Sequence, residues 1–289
     1  MRSPRTCAEI AAARIGGDVQ DDLAVGPRQG RVISRFRHGV NLLLDGAGGR
    51  WMTVQHPCVG LHPWAIETPA GVPETAEGEA VQWDGTTLRF GGTHIRVATA
   101  VRVDLWVPVY DATAYGRAHE RWQRLARVAS AATFAARQDP LHEGIGDILR
   151  AWHASGRGRL LCGLIGRGQG ATPYGDDVLT GMLAGLWALS RVLPAATRQL
   201  VRLRSQTCRP AALVATTRPS AQTLRAAGAG RVCEALRTLL CGLSSADPAA
   251  SGEAAYRRVA ELGCSSGAGL LTGLGHILWT TPRWMTECR

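Results

Sequence analysis

The sequence predicts an α+β chain: a small N-terminal β-barrel or sandwich, followed by a mostly α-helical C-terminal domain. Three observations carry this. Between about residues 30 and 110, apolar residues alternate with polar ones or form short runs broken by glycine-rich turns, as short strands do. From about residue 112 the apolar spacing changes to three and four, the period of a helix. The 289 residues are 45% hydrophobic, enough for one large domain or two of ordinary size with a real core. The boundary falls near residue 111, giving a β-rich domain of 1–111 and a helical domain of 112–289.

The N-terminus, Met1 to Gly17, carries Arg2 and Arg5, and its only apolar patch is Ile10 to Ala13. That is too short for the apolar region of a signal peptide. No run approaches the roughly 18 apolar residues of a membrane span. Both readings predict a cytoplasmic protein without membrane association. Strands are expected at Arg31–Phe36, Val40–Leu44, Trp51–Val54, Leu88–Phe90, His94–Val97 and Val101–Val107. Asp45–Gly49 and Gly91-Gly92 read as hairpin loops, and Thr68–Gly78 as a Pro/Gly/Glu-rich loop.

The first helix is expected over Ala114–Arg137, where Trp122, Leu125, Val128, Ala132 and Ala135 recur at helical steps. Further helices are expected at about 140–154, 175–191, 195–206, 220–228, 231–241, 250–262 and 267–279. Two of these echo each other. Val178-Leu-Thr-Gly-Met-Leu-Ala-Gly-Leu-Trp187 aligns without gaps with Leu270-Leu-Thr-Gly-Leu-Gly-His-Ile-Leu-Trp279. Both carry glycines four apart, Gly181 with Gly185 and Gly269 with Gly273. A helix-interior glycine costs about 1 kcal/mol against alanine, so such pairs suggest two backbones in close approach.

The formal charge is +10, and all 33 basic residues are arginine. Without lysine there is no internal Schiff base and no Walker-A contact to a phosphate. The arginine excess reads either as compositional bias or as anion binding, since guanidinium grips phosphate and carboxylate in a fork. Nucleic-acid binding is not expected, because the arginines are spread out rather than clustered with aromatics. The densest stretch, Arg198, Arg202, Arg204 and Arg209, reads as a solvated helix face. The eight cysteines lack zinc-knuckle spacing and read as reduced, mostly core thiols. His38, His56, His62 and His276 have no metal-ligand spacing, so neither metal nor cofactor is expected.

The most unusual segment is Gly166-Arg-Gly-Gln-Gly-Ala-Thr-Pro-Tyr-Gly-Asp-Asp177, which follows an apolar run and opens a long apolar helix. Gly166, Gly168, Gly170 and Gly175 permit positive φ and close approach of a ligand to the backbone. Thr172 is a plausible N-cap with Pro173 in the first helical position. The spacing is not that of the dinucleotide fingerprint. Asp176 and Asp177 either complement the helix dipole or work chemically, as a general base, an acceptor of a substrate amine or a ligand for a hard metal ion. Thr216-Thr217-Arg218-Pro219-Ser220 and Ser265-Ser266-Gly267 are two more hydroxyl-bearing helix starts. Each reads alone as an ordinary cap; together they suggest a shared pocket for an anion.

These segments resemble the AllH family of bacterial proteins, one member of which is a subunit of oxamate carbamoyltransferase. Gly166, Gly168, Gly170, Thr172, Pro173, Gly175, Asp176 and Asp177 match that family's glycine-rich motif. Thr216, Thr217, Arg218, Ser220 and Ala221 match a second motif, and Ser266, Gly267 and Ala268 match a third. In the N-terminal half Val40-Asn41-Leu42 is similar to the family's V-N-L, which adds Asn41 to the candidate binding residues. The chain departs from the family pattern at Gln169, Ala171, Tyr174 and Gly269, where the family carries proline, leucine, serine and aspartate. The resemblance implies transfer of a carbamoyl group between phosphate and an amide or amine acceptor. It implies a small anionic substrate such as carbamoyl phosphate or a carboxylate, and partner subunits or a homo-oligomer. The alternative is a non-catalytic subunit that binds a small anion or serves assembly.

Overall fold

The computed structural model describes residues 8–46, 49–133, 140–155, 158–247, 249–250 and 252–286. The chain divides into two compact units, Met1–Leu105 and Trp106–Arg289. The architecture is α+β: a strand-rich first unit and a mostly helical second.

In the first unit the strands are β1 (Ala8–Ala11), β2 (Arg14–Gly16), β3 (Arg28–Phe36), β4 (Gly39–Leu44), β5 (Arg50–Gln55), β6 (Ala65–Glu67), β7 (Ala80–Trp83), β8 (Thr87–Phe90), β9 (Thr93–Arg96) and β10 (Val101–Val103). Among the described residues they form one curled sheet in the order β1-β9-β8-β7-β3-β4-β5-β6-β2-β10. Antiparallel hairpins join β3 to β4, β4 to β5 and β8 to β9. The β8–β9 turn is Gly91-Gly92, with φ +60° and +69°, the paired left-handed conformation of a tight hairpin. Strands β4 and β5 lie mid-sheet, are buried along most of their length, and place Leu42, Leu44, Met52 and Val54 in the core.

Four strands have no counterpart in the expectation: β1, β2, β6 and β7, of three or four residues each. Nor has the helix α1 (Gly17–Leu23). Segments of three or four residues are too short to display a period. The strand expected over Val101–Val107 stops at Val103, and Val107 instead donates its N–H to the Gly230 carbonyl in the second unit.

The second unit comprises α2 (Ala112–Thr133), α3 (Pro140–Ser155), a 3-10 stretch at Gly158–Leu164, α4 (Tyr174–Leu189), α5 (Pro194–Thr207), α6 (Pro210–Val214), α7 (Arg218–Gly228), α8 (Glu234–Ser244), α9 (Glu253–Ala260) and α10 (Ser266–Thr286). The eight expected helices are present with shifted ends, and the short α6 is additional. Residues 134–137 of the first expected helix lie outside the described residues.

Helix α4 is apolar around its circumference and is buried along its length except at Trp187, the signature of a central helix. Its closest neighbour is α10, and the glycines explain the approach. A Cβ on Gly181 would run into the Leu270 carbonyl oxygen, and one on Gly273 into the Val178 carbonyl oxygen. Gly185 faces Ile277 and Gly269 faces Asp177. Residue numbers rise together along the contact, so the helices run parallel. The reciprocal pairs, Gly181 with Leu270 and Gly273 with Val178, are those the sequence echo relates by a local twofold. Elsewhere, the buried guanidinium of Arg121 on α2 closes the C-terminal end of α8. It donates to the carbonyls of Gly242 (2.7 Å), in the last turn of α8, and of Ser245 (2.8 Å) and Asp247 (2.7 Å) just beyond it.

Candidate functional site

The site is built on the segment that leads into α4. Gly166, Gly168 and Gly170 have φ of +70°, +118° and +95°, and no non-glycine described residue has positive φ. The sign of φ therefore alternates from 166 to 170. The first N–H is already occupied by a carboxylate: Gly166 donates to Asp176 Oδ1 at 2.9 Å. Arg167 N–H closes a turn onto the Leu164 carbonyl at 3.0 Å. The N–H groups of Gly168 and Gly170 make no hydrogen bond within the described residues. Two glycines are there for space as well. A Cβ on Gly166 would meet the Ala215 carbonyl oxygen, and one on Gly175 the Leu164 carbonyl oxygen.

The three segments singled out in the sequence meet in this unit through direct hydrogen bonds. Thr216 donates its hydroxyl to Asp176 Oδ2. Thr217 donates to the Ala171 carbonyl at 2.5 Å and also caps α7, accepting the Ser220 N–H at 3.3 Å. Thr172 and Ser266 share a hydrogen bond of 2.7 Å. The expected N-cap role of Thr172 is not met: Pro173 is the N-cap of α4, and no side chain caps that end. The Thr172 hydroxyl is drawn instead to α10, whose first residue is Ser266. Gly267, buried, would carry a Cβ straight into the Val259 carbonyl oxygen, so its role is close packing of α10 on α9. Ser265 precedes that helix and accepts the Gly269 N–H on its carbonyl at 3.0 Å. Arg218, the first residue of α7, is exposed, and its side chain pairs with no described residue. Asn41 belongs to the first unit, where it links three strands: it donates to Ser34 Oγ (3.0 Å) and accepts from Thr53 (2.8 Å).

The adjacent carboxylates have different surroundings. Asp176 is 1% exposed. Burial raises its pKa, opposed by the hydrogen bonds from Thr216 and Gly166 and by the neighbouring Ser220 hydroxyl. That Ser220 hydroxyl stands close to Asp176 but outside hydrogen-bond geometry, and its Oγ is buried without a partner. Asp177 is 4% exposed, and its Oδ2 is buried with no hydrogen bond. Burial pushes its pKa up to about 7, the negative charge of Asp176 adds to the rise, and the hydroxyls of Ser266 and Thr172 oppose it. Asp176 is thus a fully engaged clamp on the glycine loop, whereas Asp177 keeps an oxygen and a proton in play near neutrality. Among the described residues no three His, Cys, Asp or Glu side chains gather as metal ligands.

Two departures from the family pattern fall together. The Tyr174 ring is buried and its hydroxyl shares a 2.9 Å hydrogen bond with Thr272. A Cβ at Gly269 would stand 2.7 Å from Asp177 Cβ and 3.4 Å from Tyr174 Cδ2. The tyrosine ring thus packs directly beside Gly269. One neighbour had no sequence signal. Cys233 is the N-cap of α8, and its thiol is pushed up to about 11, chiefly by burial, with the charge of Asp177 contributing.

Fold and site together define a class: an α+β protein whose helical unit draws the starts of α4, α7 and α10 around a buried carboxylate pair beside a glycine-rich loop. Residues 164–278 match the family described as "Oxamate carbamoyltransferase subunit AllH", and residues 11–103 match the "AllH family N-terminal domain". The two matches cover most of the chain, which belongs to the AllH family. No curated protein and no solved structure matches it. Among the described residues, no helix is long and apolar enough to cross a membrane.

Proposed function

We propose that the chain serves carbamoyl transfer between phosphate and an amide or amine acceptor, working as a subunit beside partner chains. The observation that carries this is Asp177: buried, with one oxygen unpartnered, and able to exchange a proton near neutral pH. In such a transfer the acceptor nitrogen attacks the carbamoyl carbon, the bond to phosphate breaks, and the nitrogen sheds a proton. Asp177 in its ionised form takes up that proton. The free N–H groups of Gly168 and Gly170 receive the oxygens of the phosphate, and the exposed Arg218 guanidinium adds positive charge. Asp176 holds the loop in shape through Gly166 and Thr216.

A second reading is a non-catalytic subunit that binds a small anion or serves assembly. One observation favours it: the hydroxyls of Thr172, Ser266, Thr216 and Thr217 already make hydrogen bonds to one another, to Asp176 or to backbone. Turnover of carbamoyl phosphate, measured on the isolated chain and on its complex with partner subunits, separates the two. The first reading expects turnover that falls by a factor of about 100 or more in Asp177→Asn. Anion binding without turnover in either preparation favours the second.

A further inference from the structure

Between Asp177 and Glu234 the chain carries eight arginines and no acidic residue, so most of its +10 net charge arises there. Part of this excess lines a surface feature. The end of α4 and the exposed face of α5 border an open groove of about 580 Å³, formed by Ser190, Arg191, Pro194, Thr197, Arg198, Val201 and Arg202. All three arginines are exposed, and none of their guanidinium groups pairs with a described residue. Some other exposed arginines find acids, as Arg102 does with Asp21 and Asp104, and Arg257 with Glu253, whereas Arg218, like these three, pairs with no described residue. Val201, in the groove, is 63% exposed. Its neighbours on α5, Leu200 and Leu203, face the core, which leaves Val201 on the solvent face.

We propose that this groove docks an acidic segment of a partner protein, with an aliphatic side chain of that segment covering Val201. Charge complementarity names the partner's character. Three unpaired guanidinium groups around an apolar spot fit carboxylates flanking an apolar residue, and arginine is enriched where proteins meet. A second copy docked by the same face would bring six arginines together and is disfavoured by repulsion. Nucleic acid fits less well, because no aromatic side chain lines the groove for base stacking. The docking face is separate from the Asp177 chemistry and stands or falls without it.

The test uses the full chain and a short labelled peptide in which glutamates flank a leucine pair, with fluorescence anisotropy as the readout. Comparison probes are the same peptide with glutamine for glutamate, the same peptide with serine for leucine, and a single-stranded oligonucleotide of equal charge. The acidic, leucine-bearing peptide is expected to bind tightest. Arg198→Glu with Arg202→Glu weakens it by about tenfold or more, whereas Arg204→Glu, exposed on α5 but outside the groove, leaves it nearly unchanged. Val201→Ser weakens the leucine peptide and not the serine one. Tighter binding of the oligonucleotide, or equal damage from Arg204→Glu, would show diffuse electrostatic attraction and overturn the proposal. So would an absence of binding to the acidic peptide at low salt.

Discussion

Replacing Asp177 by Asn separates a working carboxylate from a structural one through the sign of its effect on stability. The carboxyl has an ordinary value of 3.8 and is raised to about 7 in the fold. Each tenfold change in proton affinity is worth about 1.4 kcal/mol, so the ionised side chain costs the fold about 4 kcal/mol. The folded state holds this proton more tightly than the unfolded chain does. Stability therefore declines as pH rises from about 4 through about 7, and is level above that. Asn carries no charge at any of these values. The Ser266 and Thr172 contacts it weakens are worth about 1 kcal/mol, so the variant should gain about 3 kcal/mol over the parent near pH 8 and little near pH 4. In thermal melts that gain is about 6–10 °C for a unit of this size. Carbamoyl-phosphate turnover, or anion binding, is measured on the same samples. Stability gained above neutral pH together with activity lost is what a buried catalytic carboxylate produces. A variant that melts below the parent at pH 8, or whose pH curve runs parallel to the parent's, refutes the reasoning.

The other expected outcomes concern groups that hold this arrangement in place. Asp176→Asn leaves one acceptor oxygen for the two donors, Gly166 N–H and Thr216 Oγ1, and should cost about 1–3 kcal/mol, seen in urea titration and as faster proteolysis of the 166–175 loop. Gly273→Ala drives a Cβ into the Val178 carbonyl oxygen; forcing α4 and α10 apart should cost about 3 kcal/mol, whereas Gly116→Ala, with open space around it, should be neutral or mildly stabilising. Arg121→Met strips its donors from the carbonyls at the end of α8 and should cost about 3–5 kcal/mol, measured by chemical denaturation.

The helical half was legible because its helices are long enough to show a period and α4 is apolar all round. The β half was legible where runs were long enough to alternate or ended in a glycine-rich turn, as at Gly91-Gly92. Strands β1, β2 and β6 pair across long stretches of chain: β1 with β9, β2 with β10 and β6 with β5, all in parallel, which no local turn signal announces. In the site, the residue types were legible and the partnerships were not. Thr172 has the local credentials of an N-cap, yet its hydroxyl pairs with Ser266, 94 residues away. That choice belongs to the packing of α4 on α10, and a reading of neighbours along the chain does not contain it. Cys233 came near Asp177 for the same reason.

The two adjacent aspartates show how one helix start produces two roles. Successive helix residues point about 100° apart, so Asp176 and Asp177 face different neighbours. Asp176 faces the glycine loop, where the Gly166 N–H and the Thr216 hydroxyl answer both its oxygens. Asp177 faces α10 at Gly269, where the absence of a side chain lets the backbones close and the water leave. Desolvation at Asp177 therefore follows from the same glycine contacts that hold the two helices together. The charge on Asp176, kept in place by its hydrogen bonds, raises the proton affinity next door. A carboxyl near pKa 7 at this position is thus a product of packing, and the prediction for Asp177→Asn depends on Gly269. Gly269→Ala, with its Cβ against Asp177, should force a gap that admits water, lower the Asp177 pKa toward its ordinary value and flatten the decline of stability with pH. If the decline persists unchanged in Gly269→Ala, burial by α10 is not what raises that carboxyl.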